Sequence, residues 1–408
     1  MLDNGSSIEE RLPDLPKIGR DFDDSLVDLH SLGNSLFIAD RYVEGKASLK
    51  QVEIPLRNGL SSDLAATLEE LFTGLYGYSP LFIPGNYTPS LFWTESTSSW
   101  SDDYTCLFSC GMDSFSGILS ASKSLSVSGA FTLHSDFPTL KPRANRLSRM
   151  ALSSQGIELK VIGAPRHSSM ARKTRGVLYV LNAVLLGNRN IIVPEIGPTM
   201  YQPPFTLLDE ISVTTRPQIL RCSKSIAEQV TGQNISIIKP NEKLTKAEVA
   251  ISSPRSDLLR ETCSCRSTMF ANSAVPHCGS CYACVVRRLG VEVSGIGDRR
   301  YQKDGFTGEG ADNTAHLTTF SLNFFSENRS LPCYVTEIIH KHGKEDLFRR
   351  FALDNLAGLL LLSEGGLKHD LQKKLLLLVQ KALDLKELKE RIAVVRNNPR
   401  KPDFENTV

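Results

Sequence analysis

The segment Tyr104-Thr-Cys-Leu-Phe-Ser109-Cys110-Gly111-Met112-Asp113-Ser114-Phe115 runs from a short apolar strand through a Gly-containing turn into helix-forming sequence. Small residues in such a turn leave backbone N–H groups free to converge on an anion, and the helix behind them adds its N-terminal partial charge. The hydroxyls of Ser109 and Ser114 can donate to phosphate oxygens. Asp113 cannot favour an anion and suits a loop or Mg²⁺ role. No Gly-Lys-Ser/Thr follows, so this is not a Walker A loop.

The alternation continues on both sides. The pattern predicts strands over Tyr104–Ser109, Ser128–His134, Glu158–Gly163 and Asn190–Pro194, and helices over Ser114–Lys123, Pro142–Gln155 and Arg175–Leu186. Strand and helix in turn argue for an α/β fold, a parallel sheet with helices on both faces. Such sheets bind ligands at the carboxyl ends of their strands. Upstream, Ser35–Val43 and Ser48–Leu56 read as strands around the turn Glu44-Gly45. Ser61–Tyr76 reads as an amphipathic helix capped by Ser61, Ser62 or Asp63. The polar stretch Thr94–Asp103 reads as a linker. Downstream, Glu345–Leu362 and Lys368–Val395 are Leu-rich with helical periodicity. Three regions result: a small N-terminal α+β extension (1–100), the α/β domain (101–300) and a C-terminal helical domain (301–408).

Composition sets outer limits. The 408 residues carry 47 Lys+Arg against 45 Asp+Glu, too balanced for a whole-chain nucleic-acid binder. Locally, residues 368–401 carry ten basic against four acidic side chains, which suits a solvated helix face or a docking surface for RNA or an acidic protein. No apolar stretch reaches the ~18 residues of a membrane span. Met1–Arg11 is polar and unlike a signal peptide. A cytoplasmic protein with no membrane partner is expected.

Five of the nine cysteines fall between Cys263 and Cys284. Cys278-Gly-Ser-Cys281-Tyr-Ala-Cys284 makes two consecutive C-x-x-C steps, with Cys265 upstream. Four thiolates suit tetrahedral Zn²⁺. Iron–sulfur ligation is the rival, but no fourth Cys followed by Pro lies in that register.

The hexamer Ser109–Ser114 resembles the S-G-G-x-D-S signature of the PP-loop ATP pyrophosphatases, with Cys110 where that family usually has Gly. If the position needs a positive φ, its Cβ carries a steric cost. With the cysteine cluster in this order, the chain resembles the 7-cyano-7-deazaguanine synthase (QueC) family. Thr262-Cys-Ser-Cys265 and Cys278-Gly-x-Cys281-x-x-Cys284-x-x-Arg287 are similar to its zinc site, and Leu244-Thr-Lys246-Ala-Glu248-Val249 to its T-K-A-E-I segment. Arg175 sits where the family has an Arg-Asn pair, the Asn being Gly176 here. Glu195-Ile-Gly197 falls at its substrate-facing loop.

The resemblance covers roughly 104–300. The added regions resemble those of QueC-like proteins of bacterial anti-phage systems, Qat and type IV CBASS. It implies Zn²⁺ on Cys265, Cys278, Cys281 and Cys284. It implies ATP on Phe108, Ser109, Cys110, Gly111, Met112, Asp113, Ser114, Phe115 and His134, with Mg²⁺. Asp113, Lys246 and Arg175 become catalytic candidates, and Arg287 a candidate to neutralise phosphate charge. The implied activity is ATP-dependent carbon–nitrogen ligation on 7-carboxy-7-deazaguanine, forming an amide or nitrile, with a protein N-terminus as acceptor. The alternatives are a plain synthase of the family, a tRNA-modifying PP-loop enzyme using Cys110, and a non-catalytic binding module.

Overall fold

A computed structural model of the chain describes residues 24–44, 51–86, 100–134, 146–163, 173–201, 215–265, 277–298, 301–303, 305, 309–325, 339–364 and 370–405. Its centre is a five-stranded parallel sheet. The strands are β3 (Ser101–Leu107), β4 (Val127–His134), β5 (Glu158–Gly163), β6 (Asn188–Ile192) and β7 (Ser236–Ile238), in the order β5-β4-β3-β6-β7. The chain winds outward from β3 in one direction, then returns to β3 and winds the other way. The carboxyl ends of β3 and β6 therefore flank the switch point, where open α/β sheets form a crevice.

Both faces are buried, as a parallel sheet requires. Alternate strand residues feed separate cores: Ala130, Ile192 and Ile238 point to one, Phe131, Ile191 and Ile237 to the other. The first core receives α3 (Met112–Ala121), whose Phe115, Ile118 and Leu119 are buried. The second receives α4 (Arg175–Leu185), buried almost all round, and α6 (Pro217–Thr231); the single turn α5 (Gly197–Met200) lies between them in the chain.

The strand expected over Ser35–Val43 is instead part of a helix, α1 (Asp24–Glu44). Leu26, Leu29, Leu32, Leu36 and Ala39 recur at three- and four-residue steps and are all buried. That long period outweighs the local run of β-formers around Phe37. The second expected strand holds at β1 (Gln51–Ile54), which pairs in parallel with β2 (Leu81–Pro84). Between them α2 (Ser62–Tyr76) is capped by the Ser61 hydroxyl, which accepts from the Leu64 N–H. Part of the expected linker belongs to β3, and 94–99 lie outside the described residues. The expected Pro142–Gln155 helix is a π-helical turn (Ser148–Leu152) running into a 3₁₀ turn, with 142–145 outside the described residues.

After β7 come α7 (Lys246–Ser252), α8 (Tyr282–Ser294) and α9 (Glu309–Phe325). The C-terminal region is helical: α10 (Glu345–Glu364), α11 (Asp370–Ala382) and α12 (Leu385–Asn397). The single long repeat of Lys368–Val395 is broken at Asp384, whose carboxylate accepts from the Lys386 N–H and starts a new helix. One core includes Leu36 of α1, Ile191 of the sheet, and Phe348 and Leu388 of the C-terminal helices. Gly358 of α10 meets α8 so closely that a Cβ would lie 2.6 Å from the Leu289 carbonyl oxygen. No helix among the described residues is long and apolar enough to cross a membrane.

Candidate functional site

The loop after β3 closes on its own serines. The Ser114 hydroxyl accepts from the Ser109 N–H (3.2 Å) and donates to the Gly111 carbonyl (3.1 Å). The two hydroxyls lie 3.2 Å apart, and Ser109 Oγ is 3.4 Å from the Gly111 N–H. The N–H groups of Ser109 and Gly111 thus both point at serine hydroxyls at the start of α3. Ser109 is exposed at the mouth, whereas Phe108, Cys110, Met112 and Phe115 are fully buried in the core. Those four side chains pack into one core behind the turn.

Cys110 has φ +60°, and among the described residues it is the one non-glycine with a positive φ. The position does require the left-handed region, at a cost of roughly 1–2 kcal/mol for a side chain with a Cβ. Its carbonyl accepts a 2.8 Å bond from the Cys263 N–H. The buried thiol is poorly placed for nucleophilic work, which needs access.

Three charged groups from three elements meet beside the loop. Asp113, in the first turn of α3, accepts from Lys246 at 2.5 Å, and both side chains are largely buried. Lys246 opens α7, fixed by a capping box in which Thr245 and Glu248 satisfy each other's backbone N–H. Its stem fits because residue 290 on α8 is glycine: a Cβ there would lie 2.9 Å from Lys246 Cγ. Glu195 follows β6, across the switch point. Burial and the Asp113 charge push its carboxyl up to about 7, against Lys246 and the Ile196 N–H, which favour the anion. Gly197 lets this turn sit on the β7 loop, since a Cβ would lie 1.9 Å from the Glu242 carbonyl oxygen.

Asp113 Oδ1 is buried without a hydrogen-bond partner among the described residues. Two carboxylates close enough to interact, Asp113 and Glu195, offer hard oxygens of the kind that suits Mg²⁺. The sequence offered only a loose sign of Glu195, a carboxylate just past an apolar strand ending in Pro194.

Other expected members lie elsewhere. Arg175 begins α4 and rests over the Tyr179 ring, 5.6 Å from its centroid; among the described residues no hydrogen bond or ion pair joins it to the loop. His134 ends β4 opposite Gly163 in register, at the carboxyl edge. Arg287 is completely buried and does not face the loop with a free charge. Its five N–H groups go to Asp298 (2.8 and 2.9 Å), Thr262 Oγ1 (2.7 Å), Ser264 Oγ (3.4 Å) and the Leu259 carbonyl (2.8 Å). The phosphate-neutralising role expected of it is therefore corrected to that of a structural clamp.

Cys265, Cys278, Cys281 and Cys284 bring their sulfurs within 4.8 Å of one another. Cys278 and Cys284 Sγ are 3.8 Å apart, and a tetrahedral Zn–S₄ site has edges of about 3.8 Å. Backbone N–H groups of Cys278 and Cys281 donate to Cys265 Sγ and Cys278 Sγ, both at 3.3 Å, the pattern that stabilises thiolates in metal knuckles. Gly279 has φ +82°, and a Cβ there would lie 2.0 Å from the Lys303 carbonyl oxygen. These residues fit Zn²⁺.

The basic C-terminal surface is partly spent on internal pairs. Arg391 bonds Asp354 and Glu248, Arg396 the Val293 carbonyl, and Arg400 lies 3.0 Å from Asp346. Together these features define a parallel α/β protein with a serine-lined turn at its switch point and a four-cysteine cluster of a geometry that could hold a metal ion. No family model matches the chain, and neither does any curated protein.

Proposed function

We propose that the chain is a QueC-like PP-loop enzyme that uses ATP to activate the carboxylate of 7-carboxy-7-deazaguanine. What supports this is the meeting of a serine-lined turn with Asp113, Lys246 and Glu195 at the carboxyl edge of the sheet. A free carboxylate resists amines because it is anionic and lacks a leaving group. Adenylation removes both obstacles. The carboxylate oxygen attacks the α-phosphorus, the bond to the β-phosphate oxygen breaks, and pyrophosphate departs into the Ser109–Ser114 turn. Preorganised N–H groups there stabilise the departing charge. An amine then displaces AMP and leaves an amide; with ammonia, a second activation gives the nitrile.

Asp113 and Glu195 would hold Mg²⁺, which supplies charge neutralisation to the phosphates when bound. Lys246 restrains Asp113 and adds a cation beside the turn. We further propose, from the resemblance and the added regions, that the acceptor is the N-terminal amine of a partner protein in anti-phage defence. The burial of Cys110 weighs against tRNA modification through its thiol.

Exchange of labelled pyrophosphate into ATP tests the activation step. It should require 7-carboxy-7-deazaguanine and fall about 100-fold or more in Asp113→Asn. Exchange that ignores the deazaguanine, or survives in Asp113→Asn, contradicts the proposal.

A further inference from the structure

We infer that Cys263 and Arg287 are positioning residues for the anion loop, through which the four-cysteine site holds Cys110 in its left-handed conformation. This rests on reading Ser109–Ser114 as a pyrophosphate-binding turn.

The connection is continuous. Cys281 is the N-cap of α8 and Cys284 lies in its first turn, so a metal on the four thiolates fixes the start of that helix. Arg287 is three residues on from Cys284, where i and i+3 side chains share a helix face. Its planar fork takes Asp298 on one edge and the Leu259 carbonyl, Thr262 and Ser264 on the others. Asp298 is also held by the Tyr301 hydroxyl at 2.7 Å. The segment 259–264 is therefore gripped from α8, while Cys265 at its end is a metal ligand. From the middle of that segment the Cys263 N–H reaches the Cys110 carbonyl at 2.8 Å. A Cβ built on Gly111 lies 3.8 Å from both the Cys263 carbonyl oxygen and Ser264 Oγ, so the same segment also flanks the turn.

A strained backbone persists only where its surroundings over-determine it. Cys110 is strained, and the bond from the Cys263 N–H ties its peptide to another part of the chain. A glycine at 110 would need no such tie, because it adopts positive φ freely. That difference separates positioning from general folding support.

The test uses the full chain, loaded with Zn²⁺ or stripped by a chelator, as wild type, Cys110→Gly and Arg287→Lys. Calorimetry reads the affinity for inorganic pyrophosphate with Mg²⁺. Hydrogen exchange reads peptides covering 109–114 and 259–265. Stripping the metal from wild type should weaken pyrophosphate about tenfold or more. The same treatment of Cys110→Gly should cost less than about threefold. Arg287→Lys keeps the charge but not the fork, and should keep its metal while exchange rises across both peptides. Equal losses in wild type and Cys110→Gly overturn the inference, as does exchange over 259–265 that ignores the metal. If the loaded wild type binds no pyrophosphate, the phosphate reading of the turn fails. Hydrogen exchange then decides the tie alone: metal-dependent protection of both peptides upholds it, and metal-independent protection overturns it.

Discussion

The Ser109–Ser114 turn and the Cys265–Cys284 knuckle are linked through one hydrogen bond, from the N–H of Cys263, two residues before the knuckle, to the Cys110 carbonyl, yet they are built in opposite ways. The knuckle is a side-chain device. Its four sulfurs are the candidate ligands, and the backbone serves them with a left-handed glycine at 279 and two N–H donors. The turn is a backbone device. The N–H groups of Ser109 and Gly111 point at its serine hydroxyls, most of its side chains are core, and its one left-handed residue carries a Cβ. A side-chain site tolerates no change of ligand. A backbone site tolerates many side chains but depends on whatever holds its φ and ψ.

The largest effect should come at the knuckle. Cys284→Ser removes one thiolate from a site of a type whose metal contributes on the order of 10–16 kcal/mol to folding. Bound zinc, measured by atomic absorption, should drop to a small fraction of the wild-type content, and proteolysis should open the region around 259–303. Full zinc content in the variant would break the comparison on its side-chain half.

Next comes the buried ion network that joins α7 to the C-terminal helices. Glu248 accepts from both Arg350 and Arg391, and Arg391 also binds Asp354. Arg391→Ala strips Asp354 of its buried ion pair and leaves Glu248 with Arg350 and the Thr245 N–H, and should cost about 3–5 kcal/mol in urea unfolding. Because Glu248 caps the helix that presents Lys246, activity should fall as well. A variant of unchanged stability would mean that the C-terminal region does not support the site.

A smaller effect is a pH dependence. Burial acts to raise the Asp298 carboxyl, but Arg287 and the Tyr301 hydroxyl outweigh it and hold the group below its ordinary 3.8. A carboxyl depressed in the fold contributes stability that is complete above 3.8 and disappears as pH falls through the lower folded value. Wild type should therefore lose more stability than Asp298→Asn on acidification below about pH 4, read by thermal melts. Parallel curves would deny the clamp its charge.

The smallest is at the turn. Cys110→Gly relieves the left-handed strain, about 1–2 kcal/mol, but adds ~0.5–1 kcal/mol of unfolded-state entropy. The lost burial of the Cβ and thiol, ~1–2 kcal/mol, offsets what remains, so urea unfolding should show a stability close to wild type, where an ordinary buried Cys→Gly change would destabilise.

The same contrast explains what could be read from residues alone. Double C-x-x-C spacing identifies the knuckle because metal ligands sit at fixed intervals along one short segment. The strand-turn-helix around Ser109 was legible because apolar runs and a Gly break mark it, whereas a positive φ at 110 was suggested only by the glycine that the resembled family has there. Helix α1 is hard to read because four leucines and an alanine at helical period, spread over fourteen residues, are weaker locally than a cluster of β-formers. The meeting of Glu195 with Asp113, and the clamp from Arg287 to Asp298, come from tertiary approach across the switch point and along α8. Neither leaves a spacing signal in the chain.

The most direct measurement is product analysis. Purified protein loaded with Zn²⁺ would be incubated with Mg²⁺, ATP and 7-carboxy-7-deazaguanine, with and without ammonium, and nucleotides separated by chromatography. AMP and pyrophosphate, formed only with the deazaguanine and lost in Asp113→Asn, are the predicted products. ADP and orthophosphate, or no nucleotide turnover with any acceptor amine including the partner protein's N-terminus, would contradict the account.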